Sequence, residues 1–183
     1  MTNDPSAWLP RGSYDEARTM IGMTTGPTHG DVAVNRATIY QFAGAVEDAN
    51  PSFWDDEFAA DTWGGVISPP AMLMVWTMRL RWHPDSTRSV PAVVSSVPLP
   101  GDRMVNVEYD AEFLAPILEG DHLSVEDELV NVSPEKSTAI GTGHFVTTRS
   151  TFRRDNGDVV ARQTNTLFRF SSHSSGPAAD ELA

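Results

Sequence analysis

Residues 47–70 read Glu47-Asp48-Ala49-Asn50-Pro51-Ser52-Phe53-Trp54-Asp55-Asp56-Glu57-Phe58-Ala59-Ala60-Asp61-Thr62-Trp63-Gly64-Gly65-Val66-Ile67-Ser68-Pro69-Pro70. This stretch reads as a helix exit, a short acidic turn and the entry to a buried helix. Upstream, Asn35 can cap a helix from about Arg36 to Asp48, with Ile39, Phe42, Ala43 and Val46 on one apolar face. Asn50-Pro51 stops it, because the residue before a proline is pushed out of the helical region. Asp55 to Asp61 is expected to form one or two turns with Phe58 packed inward, and Gly64-Gly65 permits close backbone approach. Ser68-Pro69-Pro70 is a helix start, with serine as cap and proline in the first turn. From Met72 to Trp82 only Thr77, Arg79 and Arg81 are not apolar, which predicts a helix surrounded by protein. His83-Pro84-Asp85 ends it.

Working outward, the period changes in the second half. Val105, Val107, Tyr109, Ala111 and Phe113 alternate with Asn106, Glu108, Asp110 and Glu112, the pattern of a half-buried strand. A connection over Leu114 to Asp121 follows, then strands over Leu123 to Val130, Ala139 to Phe152 and Val159 to Phe170. The last two flank Asp155-Asn156-Gly157-Asp158, where Asn-Gly predicts a two-residue hairpin loop with positive φ. Residues 1–15 read as a loose N-terminus, 16–170 as one domain and 171–183 as a disordered tail. A sheet needs one face covered, and the apolar helix is the element suited to it. Periodicity alone therefore gives an α+β fold with an antiparallel sheet on a central helix.

Composition narrows the function. The chain has 183 residues, 40% of them hydrophobic, enough for one core. It has no cysteine, which excludes disulfides, thiolate catalysis and cysteine-based zinc sites. No apolar run approaches the roughly 18 residues of a membrane span, and no signal peptide precedes the domain, so a cytoplasmic location is expected. The net charge of −12 repels nucleic acid and anionic membranes. Lys136 is the only lysine. Arg79, Arg81 and Arg88 are candidates for coenzyme A phosphates, weighed against ordinary solvated or paired arginines. His29, His83, His122, His144 and His173 are scattered without metal-ligand spacing, so no metal is expected. Gly141 and Gly143 lack the later glycine, the lysine and the following helix of a phosphate loop and read as strand residues.

The stretch Ala45 to Leu73 resembles the N-terminal domain of the MaoC-like, or FAS1-like, dehydratases. That family carries Gly-Asp-x-Asn-Pro-x-(Tyr or His), then acidic residues, an alanine, Gly-Gly-x-Ile and Ala-Pro-Pro. This chain has Asp48-Ala49-Asn50-Pro51-Ser52-Phe53, then Asp55-Asp56-Glu57, Ala59, Gly64-Gly65-Val66-Ile67 and Ser68-Pro69-Pro70. The resemblance continues, with lower specificity, into Asn156 to Gln163, and covers roughly residues 30–170. It implies a single hot-dog fold, a curved antiparallel sheet wrapped around a central buried helix.

Catalytic members of the superfamily hydrate trans-2-enoyl-CoA to the (R)-3-hydroxyacyl-CoA. A carboxylate and an imidazole hold a water and move protons, and a backbone N–H at the head of the central helix polarises the thioester carbonyl. Here Asp48 and Asn50 align with the motif, but Phe53 stands at the imidazole position and Pro69-Pro70 at the helix head. A phenyl ring moves no proton, and proline has no N–H. Losing a general acid–base costs roughly 10²–10⁴-fold, and an oxyanion donor about 10²–10³-fold.

No catalytic residue is therefore expected here, and the motif is degenerate at Asp48, Asn50 and Phe53. The resemblance implies a non-catalytic, acyl-pocket-forming subunit of a heteromeric (R)-specific 2-enoyl-CoA hydratase, acting on long or bulky acyl-CoAs such as steroid side chains. The expected partner is a MaoC-like subunit carrying the Asp/His pair, since the chain is too short for both units, in a heterotetramer of two hot-dog pairs. The acyl wall is expected from Phe53, Trp54, Trp63, Gly65, Ile67 and Met72, with Met74 and Met78 as further candidates. No cofactor is expected beyond the coenzyme A thioester as substrate. The rival readings are a stand-alone hot-dog acyl-CoA thioesterase using Asp48, and a homo-oligomeric acyl-binding protein without turnover. Against the chemical readings of Asp48 stands the plain one, a turn residue beside Asn-Pro making Asx hydrogen bonds.

Overall fold

The alternating segments of the second half do pair into one antiparallel sheet. The structure is a computed structural model that describes residues 9–80, 82, 84 and 92–172. Its strands are β1 (Thr24–His29), β2 (Arg103–Phe113), β3 (Leu123–Val132), β4 (Lys136–Thr138), β5 (Gly141–Arg154) and β6 (Val159–Ser171). The order across the sheet is β1-β3-β5-β6-β2, with β4 also on β5. Strand β1 was not legible from alternation: Gly26-Pro27 sits where its register against β3 shifts, between Thr25 and Thr28.

Four helices come from the first half: α1 (Tyr14–Thr19), α2 (Arg36–Ala45), α3 (Pro51–Trp54) and α4 (Asp56–Trp63). Asn35 caps α2 as expected, its side chain accepting from Thr38 N–H. Asp55 caps α4 in the same way, and Gly64 ends it in the left-handed region at φ 87°. Phe58, expected inward, is largely exposed; Ala59 is the inward residue of α4. Within the expected loose N-terminus, Leu9 is buried and Ser13 opens α1 with a reciprocal capping box to Glu16. That Ser-x-x-Glu pattern was readable in the sequence.

The apolar segment after the two prolines is shorter than predicted. It is a 3₁₀ helix over Pro70–Thr77, and Met78 is already extended. The expected continuation to Trp82 fails for a tertiary reason. The Asp31 carboxylate pairs with Arg79 at 3.1 Å and accepts the Leu80 N–H at 2.8 Å, which draws the chain out of the helix. Nor does Ser68 cap it; the hydroxyl accepts the Trp76 indole N–H at 2.7 Å. At Gly30 a Cβ would lie 1.8 Å from the Trp76 carbonyl oxygen, so only glycine lets β1 pass this helix so closely. Met72, Leu73, Trp76 and Thr77 are buried, whereas Met74, Val75 and Met78 are exposed, so the segment is not surrounded by its own chain.

Strand β2 also departs from its reading. Val107 is an extra residue at a bulge, since Asn106 faces Leu167 but Glu108 faces Thr166. Directly opposed residues share a face. The five alternating apolar positions are therefore split: Tyr109, Ala111 and Phe113 share the face of Asn165, Gln163 and Ala161, and Val105 shares that of Phe168. Tyr109 remains 49% exposed. The Asn156-Gly157 hairpin is not the expected two-residue loop, for Gly157 alone takes positive φ there.

The covered face of the sheet carries two apolar clusters. One joins Ile39, Phe53, Met72, Leu73 and Trp76 to Phe152, Val160 and Ala161. The other joins Ala17 and, from α5 (Val93–Ser96) and the chain beyond it, Val93, Val97 and Leu99 to Leu129, Val132 and Val146. Arg169, only 1% exposed, closes the second cluster by donating to the carbonyls of Val97 (2.9 Å), Gly101 (3.3 Å) and Pro10 (2.6 Å). Burial, and then the charge of Arg11, lowers the pKa of its guanidinium. Among the described residues no helix is long and apolar enough to cross a membrane.

Candidate functional site

Local chemistry builds the corner around Asp48. Helix α2 ends at Ala45, and Glu47 takes a positive φ of 55°, turning the chain back. The Asp48 carboxylate then accepts the Asn50 N–H at 3.0 Å, and the Asn50 side chain accepts the Ser52 N–H at 3.0 Å. These are Asx hydrogen bonds, so the plain reading of both residues describes what they do. The Asp48 carbonyl accepts the Trp54 indole N–H at 2.7 Å, and Trp54 stacks on Tyr40 with ring centroids 4.7 Å apart. Outside α3, Arg36 of α2 ties Asp56 and Glu119 together, both at 2.6 Å. Chiefly through the hydrogen bond to Glu119, its pKa is raised.

The residues expected to wall an acyl pocket fall into three places. Phe53 (2% exposed) and Met72 lie inside the first core cluster, sealed from solvent. Trp54 and Asp48 border a shallow cleft with Ala43, Gly44, Glu47 and Ala49. Trp63 and Ile67 line a separate groove with Pro70, Phe113 and Leu114, of about 290 Å³. Trp63 is oriented there by its indole N–H, which donates to Ser52 Oγ at 2.9 Å. Gly65 borders neither opening; it lies beside Leu118, whose neighbour across the chain is Ile67.

Among the described residues no histidine lines the Asp48 cleft. His144 is buried on β5, stacked on Tyr14 at 5.4 Å with Nδ1 3.0 Å from the Ser133 carbonyl. His29 and His122 are exposed, and His83 and His173 lie outside the described residues. Of the arginines weighed for coenzyme A, Arg79 pairs with Asp31, while Arg81 and Arg88 lie outside the described residues. Among the described residues no group of three or more His, Asp or Glu is arranged to hold a metal ion.

A family model described as "FAS1-like, dehydratase domain region" matches residues 19–163. The chain belongs to this family. The family assignment agrees with the motif resemblance at Ala45 to Leu73, and the architecture is the α+β hot-dog arrangement that the resemblance implied. A "Probable enoyl-CoA hydratase alpha subunit" of Thermomonospora curvata is 34% identical over 157 residues, covering 82% of this chain and 49% of that protein. A "3-oxo-4,17-pregnadiene-20-carboxyl-CoA hydratase alpha subunit" of Mycobacterium tuberculosis is 30% identical over 132 residues, covering 69% of this chain and 42% of that one. The chain thus spans about half the length of the curated relatives it matches. A chain from the crystal structure of the ChsH1-ChsH2 complex of Mycobacterium tuberculosis superposes with a TM-score of 0.76 at 24% identity, covering 88% of this chain and 97% of that one.

Sequence reasoning missed a further cavity. It lies between the two core clusters, on the covered face of the sheet, with a volume of about 280 Å³. Met74, Thr77 and Met78 border it on one side and Ala92, Val93 and Val94 on the other. Its floor is a polar band across three strands: Asp127 opposite Ser150, Ser150 opposite Gln163, and Thr148 opposite Asn165. The only sequence signal was the run of polar residues at alternate positions, Thr148-Ser150 on β5 and Gln163-Asn165 on β6. In an otherwise apolar-faced strand that pattern reads as the solvent side.

Proposed function

We propose that this chain is a non-catalytic, acyl-pocket-forming subunit of a heteromeric (R)-specific 2-enoyl-CoA hydratase. The observation that carries this reading is the corner at Asp48. Its carboxylate is engaged by the Asn50 N–H, no imidazole of the described residues lines its cleft, and Phe53 is buried in the core at the imidazole's place in the motif. At the helix head the two positions of the motif offer no thioester donor: Pro69 and Pro70 have no N–H, and the Met72 N–H is taken by the Pro69 carbonyl at 2.9 Å. The proton carrier and the oxyanion donor would then come from a MaoC-like partner with an intact Asp/His pair. The names of the two curated relatives, both alpha subunits of hydratases, favour the same assignment.

The surface supports a partner of a different sequence. Among the described residues strand β2 hydrogen-bonds only to β6, and none of them covers its other edge. On and beside that strand Val107, Tyr109, Phe113 and Leu114 are exposed. Exposed apolar groups of this size around an open edge mark an interaction surface. A second copy fits it poorly. Glu108, Asp110 and Glu112 line the other face of β2, and pairing β2 with itself would place like charges along the seam in a molecule of net charge −12. A partner strand with basic residues at those positions removes the repulsion.

The test is reconstitution. The chain alone should not hydrate crotonyl-CoA, and should do so at ordinary enzyme rates once co-expressed with a subunit carrying Asp-x-Asn-Pro-x-His. Hydration by the purified chain alone overturns the proposal. So does a stable homodimer, by mass measurement, that persists in the presence of such a subunit.

A further inference from the structure

The chamber between the two core clusters contains a charged side chain that the chemistry above does not use. Among the described residues that line it, only Asp127 carries a charge. Asp127 is half-buried on β3, directly opposite Ser150 of β5, and its neighbour pair on the same face, Val125 opposite Phe152, lines the chamber too. The Ser150 hydroxyl donates to Asp127 Oδ1 at 2.6 Å. Among the described residues no arginine, lysine or histidine forms an ion pair with Asp127. A carboxylate on the covered face of a sheet ordinarily has a cationic partner, because placing a lone charge beside apolar groups is unfavourable. Here one hydroxyl is its partner, and the space beside it has apolar sides.

We propose that this chamber receives the far end of the acyl group and that Asp127 is a specificity-determining residue, turning away acyl groups that end in a carboxylate. The proposal rests on the acyl-pocket reading of the chain and narrows its substrate class to acyl groups with an uncharged far end. Two like charges brought together beside apolar walls repel far more strongly than in water, and salt screens them less. The neighbouring hydroxyl does not relieve this, since the single Ser150 proton is already donated to Asp127 and is not offered to a second carboxylate. Met74, Met78, Val93, Val125 and Leu167 supply apolar sides for a carbon skeleton. Asp127 therefore acts by exclusion: discrimination comes from a repulsive group set against the wrong ligand rather than from a new attraction to the right one.

Isothermal titration with coenzyme A thioesters tests this, on the full chain alone and co-expressed with a subunit carrying Asp-x-Asn-Pro-x-His. The probes are saturated octanoyl, decanoyl and dodecanoyl thioesters, which a hydratase cannot turn over, and their ω-carboxy counterparts. The decisive variant is Asp127→Asn, which removes the charge and keeps an oxygen for the Ser150 hydroxyl. At the chain length that reaches Asp127, this variant should bind the ω-carboxy thioester about 10–100-fold more tightly than the wild type does, the effect of removing one nearby like charge. Its binding of the unsubstituted thioester should be unchanged. The general penalty for placing a carboxylate in an apolar chamber is common to both proteins, so the comparison isolates Asp127. Asp127→Ser makes the same comparison if the asparagine variant does not fold. Equal binding of the two series by the wild type at every length, or a discrimination that Asp127→Asn leaves unchanged, overturns the inference and leaves the subunit reading standing. Absence of binding by any thioester, with and without the co-expressed subunit, overturns the inference and the acyl-pocket reading together.

Discussion

The Asp48 corner and the chamber over the polar band are opposites. At the corner, the side chains that the family motif marks have structural partners: Asp48 and Asn50 accept backbone N–H groups, and Phe53 packs into the core. In the chamber, the resemblance reaches Gln163 but gives it no role, and Gln163 and Asn165 keep oxygens without partners among the described residues. A motif can persist because its turn geometry holds a fold together after its chemistry has gone. Unused hydrogen-bonding capacity is the better guide to where a ligand could act, because folding alone gives no reason to bury it.

The most severe break of that contrast is at Phe53. Phe53→Ala should destabilise the chain by about 3–5 kcal/mol, the usual loss for a buried phenyl, measured by urea denaturation. Phe53→His restores the motif's imidazole but should give no crotonyl-CoA hydration, because Asp48 stays bound to the turn and Pro69-Pro70 still has no N–H to offer. Hydration by that single variant would show that the corner is one side chain away from being a catalytic site.

Arg169 sharpens the other side, since it fixes the chain segments of the second cluster. Arg169→Met should cost about 2–4 kcal/mol by leaving three carbonyls without their donor. A smaller effect separates the two regions by sign. Asp48→Ala should lose about 1 kcal/mol with its Asx hydrogen bond. Gln163→Leu with Asn165→Leu should leave the unliganded chain equally stable or raise it by about 1 kcal/mol, because unpaired buried oxygens are removed. A loss of several kcal/mol from the second pair would mean that the band is structural, like the corner.

The smallest expected effect is at Glu16. Hydrogen bonds from the Ser13 N–H, and then from its hydroxyl, hold this exposed carboxyl below its usual pKa. A depressed folded-state value stabilises the protein above the unfolded-state pKa and is lost as pH falls through the folded one. Glu16→Gln should therefore slightly flatten the acid side of the stability profile and leave the neutral region almost unchanged. A steeper acid limb in the variant would contradict the capping geometry.

The meander of β3, β5 and β6 and the Asn35 cap were written in local sequence, because period and capping depend on near neighbours. So was the absence of an imidazole beside Asp48 within its own motif. Asn50-Pro51, expected to stop α2, instead opens α3, and α2 ends earlier, at Ala45. Tertiary structure decided the rest. Asp31, far away in sequence, ended the apolar helix at Thr77; a bulge at Val107 split one alternating face into two; and β1 formed from residues with little strand character because β3 offered it an edge. The chamber too belongs to this second kind, since polar residues at period two signify solvent until the sheet's position shows which side is covered. Local pattern fixes which backbone is regular, but what a face meets is set by contacts between distant segments, and no single stretch of chain encodes those.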